Sequence, residues 1–499
     1  MQVKTAPDEF EDFLTDASNM SGGHAERLFL PENKAEVAEI LRKASADATP
    51  VTVAGARTGT VGGAIPFGGW VVALERLDRI GPIDRERRTV RVEAGVVLQD
   101  LDRAVESEGL FYPPDPTEWS CQIGGTIATN ASGARSFKYG ATRGFVRSLE
   151  IVLAGGETLT VRRGESFSRD GSIELSTDCG RSIRAKLPTY PQPDVRKNTS
   201  GYFTGDCVDA IDLFIGSEGT LGVIVAAELA LLPKPESYFS GIVFFENEPD
   251  LLAFVAEARE ASFADRSGNG RVESAGSVAS ASLIEYFDER SLKFISEKFP
   301  DVPENACGAI FFEQETSAGN EDELFAAWND LLERHRADID HSWFTTTDAE
   351  RERLREFRHA LPVGVNERIV RYKQKKVGTD MAVPDRNFAS FLRFYKQKLD
   401  ASGLEYVIFG HIGDNHLHAN MIPKNDEEAV RARHLYGRFI AQAIMLGGTV
   451  SAEHGIGKHK SKYLYIQYGE RFLNEMAELK RAFDPAGLLG RGNIIGERF

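Results

Sequence analysis

The 499-residue sequence is poor in cysteine: Cys121, Cys179, Cys207 and Cys307 are its four, and no two form a C-x-x-C pair. That scatter argues against a disulfide framework, a thiolate zinc site and an iron–sulfur cluster of the chain's own, so a reducing compartment is expected. Nowhere do about 18 consecutive apolar residues occur, so no transmembrane segment is expected. Residues 1–12 are acidic and lack the apolar centre of a signal peptide or the Arg/Ser character of a transit peptide. Basic charge is in short supply too. With 59 Lys+Arg against 75 Asp+Glu, the formal net charge of −16 repels phosphate backbones and anionic lipid, and no nucleic acid partner is expected. The expected location is cytoplasmic, or peripheral at the inner face of a membrane.

What is present is a globular pattern, 42% hydrophobic, long enough for two large or three ordinary folding units. Residues 27–56 read as strand, helix, strand, with Asn33 and Glu36 spaced as a capping box. Residues 88–95 alternate like a half-buried strand, and 97–108 have helical spacing before the proline break at 113–116. Residues 162–197, polar and punctuated by Pro188, Pro191 and Pro193, read as a long surface insertion. An apolar strand after residue 222 stops at Pro233 and Pro235, which sets a boundary between domains 1–235 and 236–499. Beyond it, residues 241–246 (GIVFFE) and 308–313 (GAIFFE) look alike, each followed by a helical stretch. A duplicated strand–helix unit would build a ferredoxin-like antiparallel sheet; the alternative is chance similarity of two buried strands.

The glycine-rich stretch 54–64 lies between two strands and does not open a helix, so it fails the dinucleotide fingerprint of a Rossmann fold. It remains a backbone nest for an anion, with Arg57, Thr58 and Thr60 as added donors. A second small-residue cluster spans 120–133 and a third spans 216–222. Taken singly, each is more often a tight turn. Together they offer three surfaces that an extended dinucleotide could approach closely.

These stretches, with residues 113–116 and Tyr139-Gly140, resemble the FAD-binding domain of the vanillyl-alcohol oxidase (PCMH) type over roughly residues 25–235. The resemblance implies an α+β fold: a two-subdomain FAD-binding domain, then a ferredoxin-like antiparallel-sheet substrate domain with C-terminal helices. It implies FAD contacts at Gly55, Arg57, Thr58, Gly59, Thr60, Gly62 and Gly63; at Pro114, Asp115, Ser120, Ile123, Gly124, Gly125, Thr126, Thr129, Asn130, Gly133, Tyr139 and Gly140; and at Glu218, Gly219, Ile224 and Asn493. Covalent members tether flavin through a histidine in the first loop. Arg57 and Thr58 stand there instead, which implies non-covalent FAD.

Residues 409–420 (FGHIGDNHLHAN) read as a hairpin closed around Asp414 and Asn415. A loop of two or four residues centred there puts His411 opposite His418, with Cβ atoms about 4.5–5.5 Å apart, and lets two imidazoles converge on one ion. His416 and Asn420 would share that face. Glu453 is the candidate third ligand, and His454 beside it a candidate base. A lone histidine is more often a core or surface residue; four within 44 positions on turn-rich sequence point to a site.

This part resembles the C-terminal domain of the D-lactate, glycolate and D-2-hydroxyglutarate dehydrogenases. The likeness implies a divalent metal, zinc first with manganese or iron as alternatives, on His411, His418 and Glu453, with His454 accepting a proton. Asn415-His416 departs from the family pattern, so the role of His416 stays open; residues 490–493 depart as well, which leaves the contacts there open. Arg358, then Lys376, are candidates to grip a carboxylate, the alternative being a solvated basic helix face. The implied reaction is oxidation of a small (D)-2-hydroxy acid. The external acceptor would be an electron-transfer flavoprotein, quinone, cytochrome or iron–sulfur subunit, and a homodimer is a candidate assembly. Rivals are an FAD-binding subunit of a glycolate oxidase-like complex and a non-redox FAD enzyme of the alkylglycerone-phosphate synthase type.

Overall fold

The computed structural model describes residues 1–267, 279–317, 319, 321–496 and 498. Its first sheet has four strands in the order Gln2–Lys4, Arg27–Leu30, Trp70–Ala73, Val51–Ala54, the last three parallel. The helix Lys34–Ala46 makes the crossover because Val37, Ile40, Leu41 and Ala44 fall on one face and bury against Phe29, Val51, Trp70 and Val72. At about 1.5–3 kcal/mol for each fully buried aliphatic, that stripe outweighs any intrinsic helix propensity. Asn33 caps the helix by accepting from the Glu36 amide at 3.0 Å. Glu36 reaches the Glu32 amide instead of the cap's own N–H, so half of the expected box forms.

A second sheet is antiparallel throughout: Ile80–Asp84, Thr89–Glu93, Val223–Ala230, Val146–Val152, Thr158–Arg162. Its central strand, Val223–Ala230, is buried on both faces, which accounts for its continuous apolar sequence. Residues 162–197 are not the irregular surface insertion their composition suggests. They include the hairpin Ser172–Ser176/Ser182–Lys186, whose alternate residues Ile173, Leu175, Ile183 and Ala185 are buried. Polar partners on the outward face dilute that alternation in the sequence. The prolines then carry the chain inward to Lys197, which is 5% exposed.

The third sheet has seven antiparallel strands, in the order Asp338–Thr345, Ser237–Phe245, Gly308–Thr316, Leu283–Asp288, Tyr406–Gly410, His418–Met421, Val377–Gly378. With the helices Glu248–Ser267, Glu289–Ile295 and Glu321–Arg334 between them, the first four strands have the ferredoxin-like 4-1-3-2 arrangement. The two look-alike segments are direct neighbours, Gly241 opposite Phe312 and Phe245 opposite Gly308. The helix Asp348–Tyr372 follows, and Asp426–Met445 and Ser461–Phe483 come later in the chain. The chain finally returns to the first sheet: the Val51 amide donates to Leu488 and the Gly490 amide to Val51, covering an open strand edge. Among the described residues, no helix is long and apolar enough to cross a membrane.

Candidate active site

A cleft with about 1710 Å³ of empty space, including its open mouth, runs between loop 55–64, the helix Ile123–Ala128 and segment 218–224, and ends at His411, Glu453 and His454. A Cβ on Gly59 or Gly125 would meet no atom within 4 Å, whereas on Gly124 it would lie 2.7 Å from the Ala94 Cβ. Glycine thus leaves open floor on one side and close helix–sheet packing on the other. Gln122, unremarked in the sequence, also lines the cleft; its buried Oε1 has no hydrogen-bond partner among the described residues. An orphaned acceptor beside a flat glycine floor fits a planar ligand carrying N–H groups, as flavin does.

Of the residues expected to touch FAD, Gly55, Arg57, Thr58, Gly59, Thr60, Gly63, Gly124, Gly125, Thr126, Thr129, Glu218, Gly219, Ile224 and Asn493 line the cleft. The guanidinium of Arg57 lies 3.9 Å from the Phe13 ring centre. The remainder serve the walls. Gly62 turns with φ +75° beneath Met20, and Pro114 and Ile123 are buried. Asp115 accepts from the Arg135 amide, Ser120 donates to Glu118, and Asn130 accepts from the Arg143 amide. Gly133 packs on the Asp115 carbonyl, Tyr139 on Phe111, and Gly140 ends a short helix with φ +78°.

The histidine segment corrects the hairpin expected for it. His418 stands opposite Phe409, not His411, and the connection is a tight turn, Ile412–Asp414, closed by Asn415 at φ +53°. Convergence survives by another route. Ring centres are 5.8 Å apart for His411 and His418, 4.5 Å for His416 and His418, and 5.7 Å for His411 and His416. One donor atom from each of His411, His416, His418 and Glu453 lies within 4.8 Å of the others. Glu453 Oε1 is 3.3 Å from His411 Nε2, and Oε2 is 3.8 Å from His418 Nε2. Asn420 sits behind, its amide donating to the His418 carbonyl.

Charges around this cluster are arranged in pairs. Burial works against His411's charge, but Glu285 and Glu453 outweigh it and push its pKa up to about 9. Burial, with neighbouring imidazoles, holds His418 well below the ordinary histidine range. Burial also opposes ionisation of Glu453, yet His411 and Lys197 hold it well below the usual carboxylate range. Lys197 Nζ lies 2.5 Å from Glu453 Oε1, 2.9 Å from the Gly133 carbonyl and 3.3 Å from Asp414 Oδ2. Asp380 accepts from Lys460 Nζ at 2.5 Å, Ser451 Oγ at 2.7 Å and the Glu453 and His454 amides, and lies 3.3 Å from His454 Nδ1. His454 stacks on His418 and opens into the cleft.

Arg358 is half-buried and meets His411 only through Glu285, to which its Nε donates at 2.9 Å; it is not among the residues lining the cleft. Lys376 is exposed and is not among the residues lining the cleft, so the structure does not bring it to the cluster. Sequence reasoning missed Lys197, Glu285 and Asp380: single charges within polar or strand-like stretches carry no local mark.

A glycine-floored cleft in one domain, closed by a donor-rich corner of a second, defines a two-domain flavoprotein. Residues 25–162 match the FAD binding domain family and residues 272–494 the family of FAD linked oxidases, C-terminal domain. The chain is 28% identical to glycolate oxidase subunit GlcD of Bacillus subtilis over 99% of its own length and 95% of the relative's. It is 30% identical to a D-lactate dehydrogenase of Anaerostipes hadrus (97% and 92% covered) and to a D-2-hydroxyglutarate dehydrogenase of Xanthomonas citri (99% and 94%). A solved alkyldihydroxyacetonephosphate synthase superposes with a TM-score of 0.68 over 98% of this chain and 82% of that one, at 15% identity, which is a likeness of fold alone. The chain belongs to the family of FAD-linked oxidoreductases that includes these dehydrogenases.

Proposed function

We propose that the protein oxidises a small (D)-2-hydroxy acid, of the D-lactate, glycolate or D-2-hydroxyglutarate kind, to the 2-oxo acid. The observation that carries this reading is the meeting of His454, held by Asp380, with the three-histidine, one-glutamate corner at the end of the cleft. FAD would lie non-covalently along the glycine floor, and a divalent ion would sit on His411, His418 and Glu453. When bound, these groups supply, respectively, a two-electron acceptor and Lewis-acid charge.

The chain's own residues do the rest. Asp380 takes the Nδ1–H of His454, which leaves Nε2 as the base that receives the proton of the 2-hydroxyl. Glu285 fixes the His411 ring and, through its other oxygen, the Arg358 guanidinium that we assign to the substrate carboxylate. The glycine floor lets the two ligands approach without side chains between them. All four cysteines are free and scattered, so electrons must leave to an external acceptor, whether flavoprotein, quinone, cytochrome or iron–sulfur subunit.

The test is anaerobic bleaching of the purified yellow protein by each of the three acids, with and without His454→Ala. Bleaching by one acid, lost in the variant while FAD stays bound, is expected. No bleaching by any of them, or an unimpaired variant, removes the proposal. The name of the Bacillus relative favours a second reading, a flavin-bearing subunit of a larger oxidase. Reduction of an artificial dye by the isolated chain separates the two.

A further inference from the structure

We propose that His416, through Nδ1, is a fourth protein ligand of the divalent ion assigned to His411, His418 and Glu453, an inference that rests on the functional reading above.

The argument is one of wiring. A histidine that binds a metal through one ring nitrogen characteristically donates its other N–H to a carboxylate or a backbone carbonyl, which fixes the ring and its tautomer. His411 turns Nδ1 to Glu285 Oε1 at 2.5 Å and presents Nε2 to Glu453. His418 turns Nδ1 to the Thr379 carbonyl at 2.9 Å and presents Nε2 to Glu453. His416 repeats the pattern with the nitrogens exchanged: Nε2 is 3.1 Å from Asp380 Oδ1, and Nδ1 is 3.7 Å from Glu453 Oε2. Each ring has one outer oxygen beside it, hydrogen-bonded for His411 and His418 and at ion-pair distance for His416, and all three inner nitrogens converge on one carboxylate.

Nothing else accounts for the inner nitrogen of His416. The residue is wholly buried, and neither ring nitrogen makes a hydrogen bond among the described residues; Nε2 has the Asp380 carboxylate at ion-pair distance, whereas Nδ1 faces only the cluster. A buried lone pair left without a donor is costly, and a cation answers that need. The backbone is also committed to the placement. Asn415 takes the left-handed conformation, the His416 amide donates back to the His411 carbonyl at 3.1 Å, and His416 bridges to Ala382. The turn that breaks the expected hairpin register therefore delivers a third imidazole inward.

Three imidazoles and one carboxylate suit zinc, iron or cobalt and disfavour magnesium and calcium, which prefer oxygen. Substrate oxygens would then join a four-donor shell by raising the coordination number.

The test uses the FAD-loaded full chain reconstituted with zinc. X-ray absorption at the zinc edge counts coordinated imidazoles by their outer-shell scattering: three are expected in the natural protein and two in His416→Asn. Since loss of an outer partner alone typically costs about 10–100-fold in metal affinity, chelator competition should show zinc held at least about tenfold more weakly in that variant, while FAD content and the flavin spectrum stay unchanged. His416→Gln serves the same comparison if the Asn variant does not fold, and the count in the natural protein needs no variant. Zinc ringed by two imidazoles, or unchanged affinity in both variants, overturns this assignment alone. A natural protein that retains FAD but takes up no divalent ion overturns it together with the function proposed above.

Discussion

At residue scale, the proton on His411 sets a condition on metal uptake. Glu285 and Glu453 overcome burial to hold its pKa near 9, so in metal-free protein at neutral pH the ring is charged and both nitrogens carry hydrogen. An incoming cation must displace one of them. Apparent metal affinity should therefore climb about tenfold per pH unit from 7 and level off near 9, as read by chelator competition. Asp380 makes the second residue-scale prediction. Asp380→Asn keeps the shape but loses the carboxylate that orients His454, and the rate of flavin reduction should fall about 100-fold or more with FAD content unchanged. Stopped-flow bleaching measures it, and a full rate would detach Asp380 from the base. His411, His418, Glu453 and His454 were legible because imidazoles and carboxylates cluster on turn-rich sequence. Glu285, an acid among the apolar residues of Leu283–Asp288, has no such mark, since what gives it meaning is a helix residue, Arg358, far along the chain.

At the scale of elements, the loop that carries Glu453 and His454 is tied down by Glu218. That residue stands at φ +51° and accepts from the Ile456 and Gly457 amides, both at 2.6 Å. Burial raises its pKa to about 7, and those two bonds oppose the rise. An acid whose folded pKa lies above its ordinary 4.5 contributes stability fully below 4.5 and loses it as pH climbs through 7. The loss is on the order of 3 kcal/mol for a group so buried. Denaturant unfolding across that window should show the natural protein losing stability relative to Glu218→Gln, whose neutral side chain does not titrate; parallel curves would refute the coupling. The ladder of strands was largely readable from alternation and proline breaks. The turn after Tyr406–Gly410 was not, because its geometry is imposed from outside: Ile412 is fully buried, and Gly413 lies against the Phe137 ring, where a Cβ would come within 2.8 Å. Local spacing cannot encode a contact with another domain. The same holds for residues 162–197, whose ordering depends on packing partners distant in sequence.

At the scale of the whole molecule, the site belongs to neither domain. Ser132 donates to Glu453 at 3.1 Å, Ser136 to Asp414 at 3.1 Å, and Lys138 to Glu315 at 2.7 Å, so the domains meet through hydrogen bonds and ion pairs at the reacting corner. Asp484, buried and paired with Lys480 at 2.7 Å, accepts from the Leu488 and Leu489 amides and so anchors the segment that returns to Val51. Asn493 then donates to the Gly63 and Glu218 carbonyls, joining two walls of the cleft. Ending the chain after residue 483 should therefore yield protein that retains little or no flavin, read from its visible spectrum after gel filtration. A yellow truncated protein would show the two walls to be self-sufficient.

The bridge from Val51 to Leu489 also bears on how the protein is made. Translation runs at roughly 5–20 residues per second, so the opening sheet leaves the ribosome tens of seconds before the segment that covers its edge. During that interval the nascent chain has an unfinished pocket and a bare β-edge, a period when aggregation or chaperone capture competes with maturation. The pocket is complete only once the segment bearing Asn493 has emerged, so cofactor loading is expected to be a late event in biogenesis.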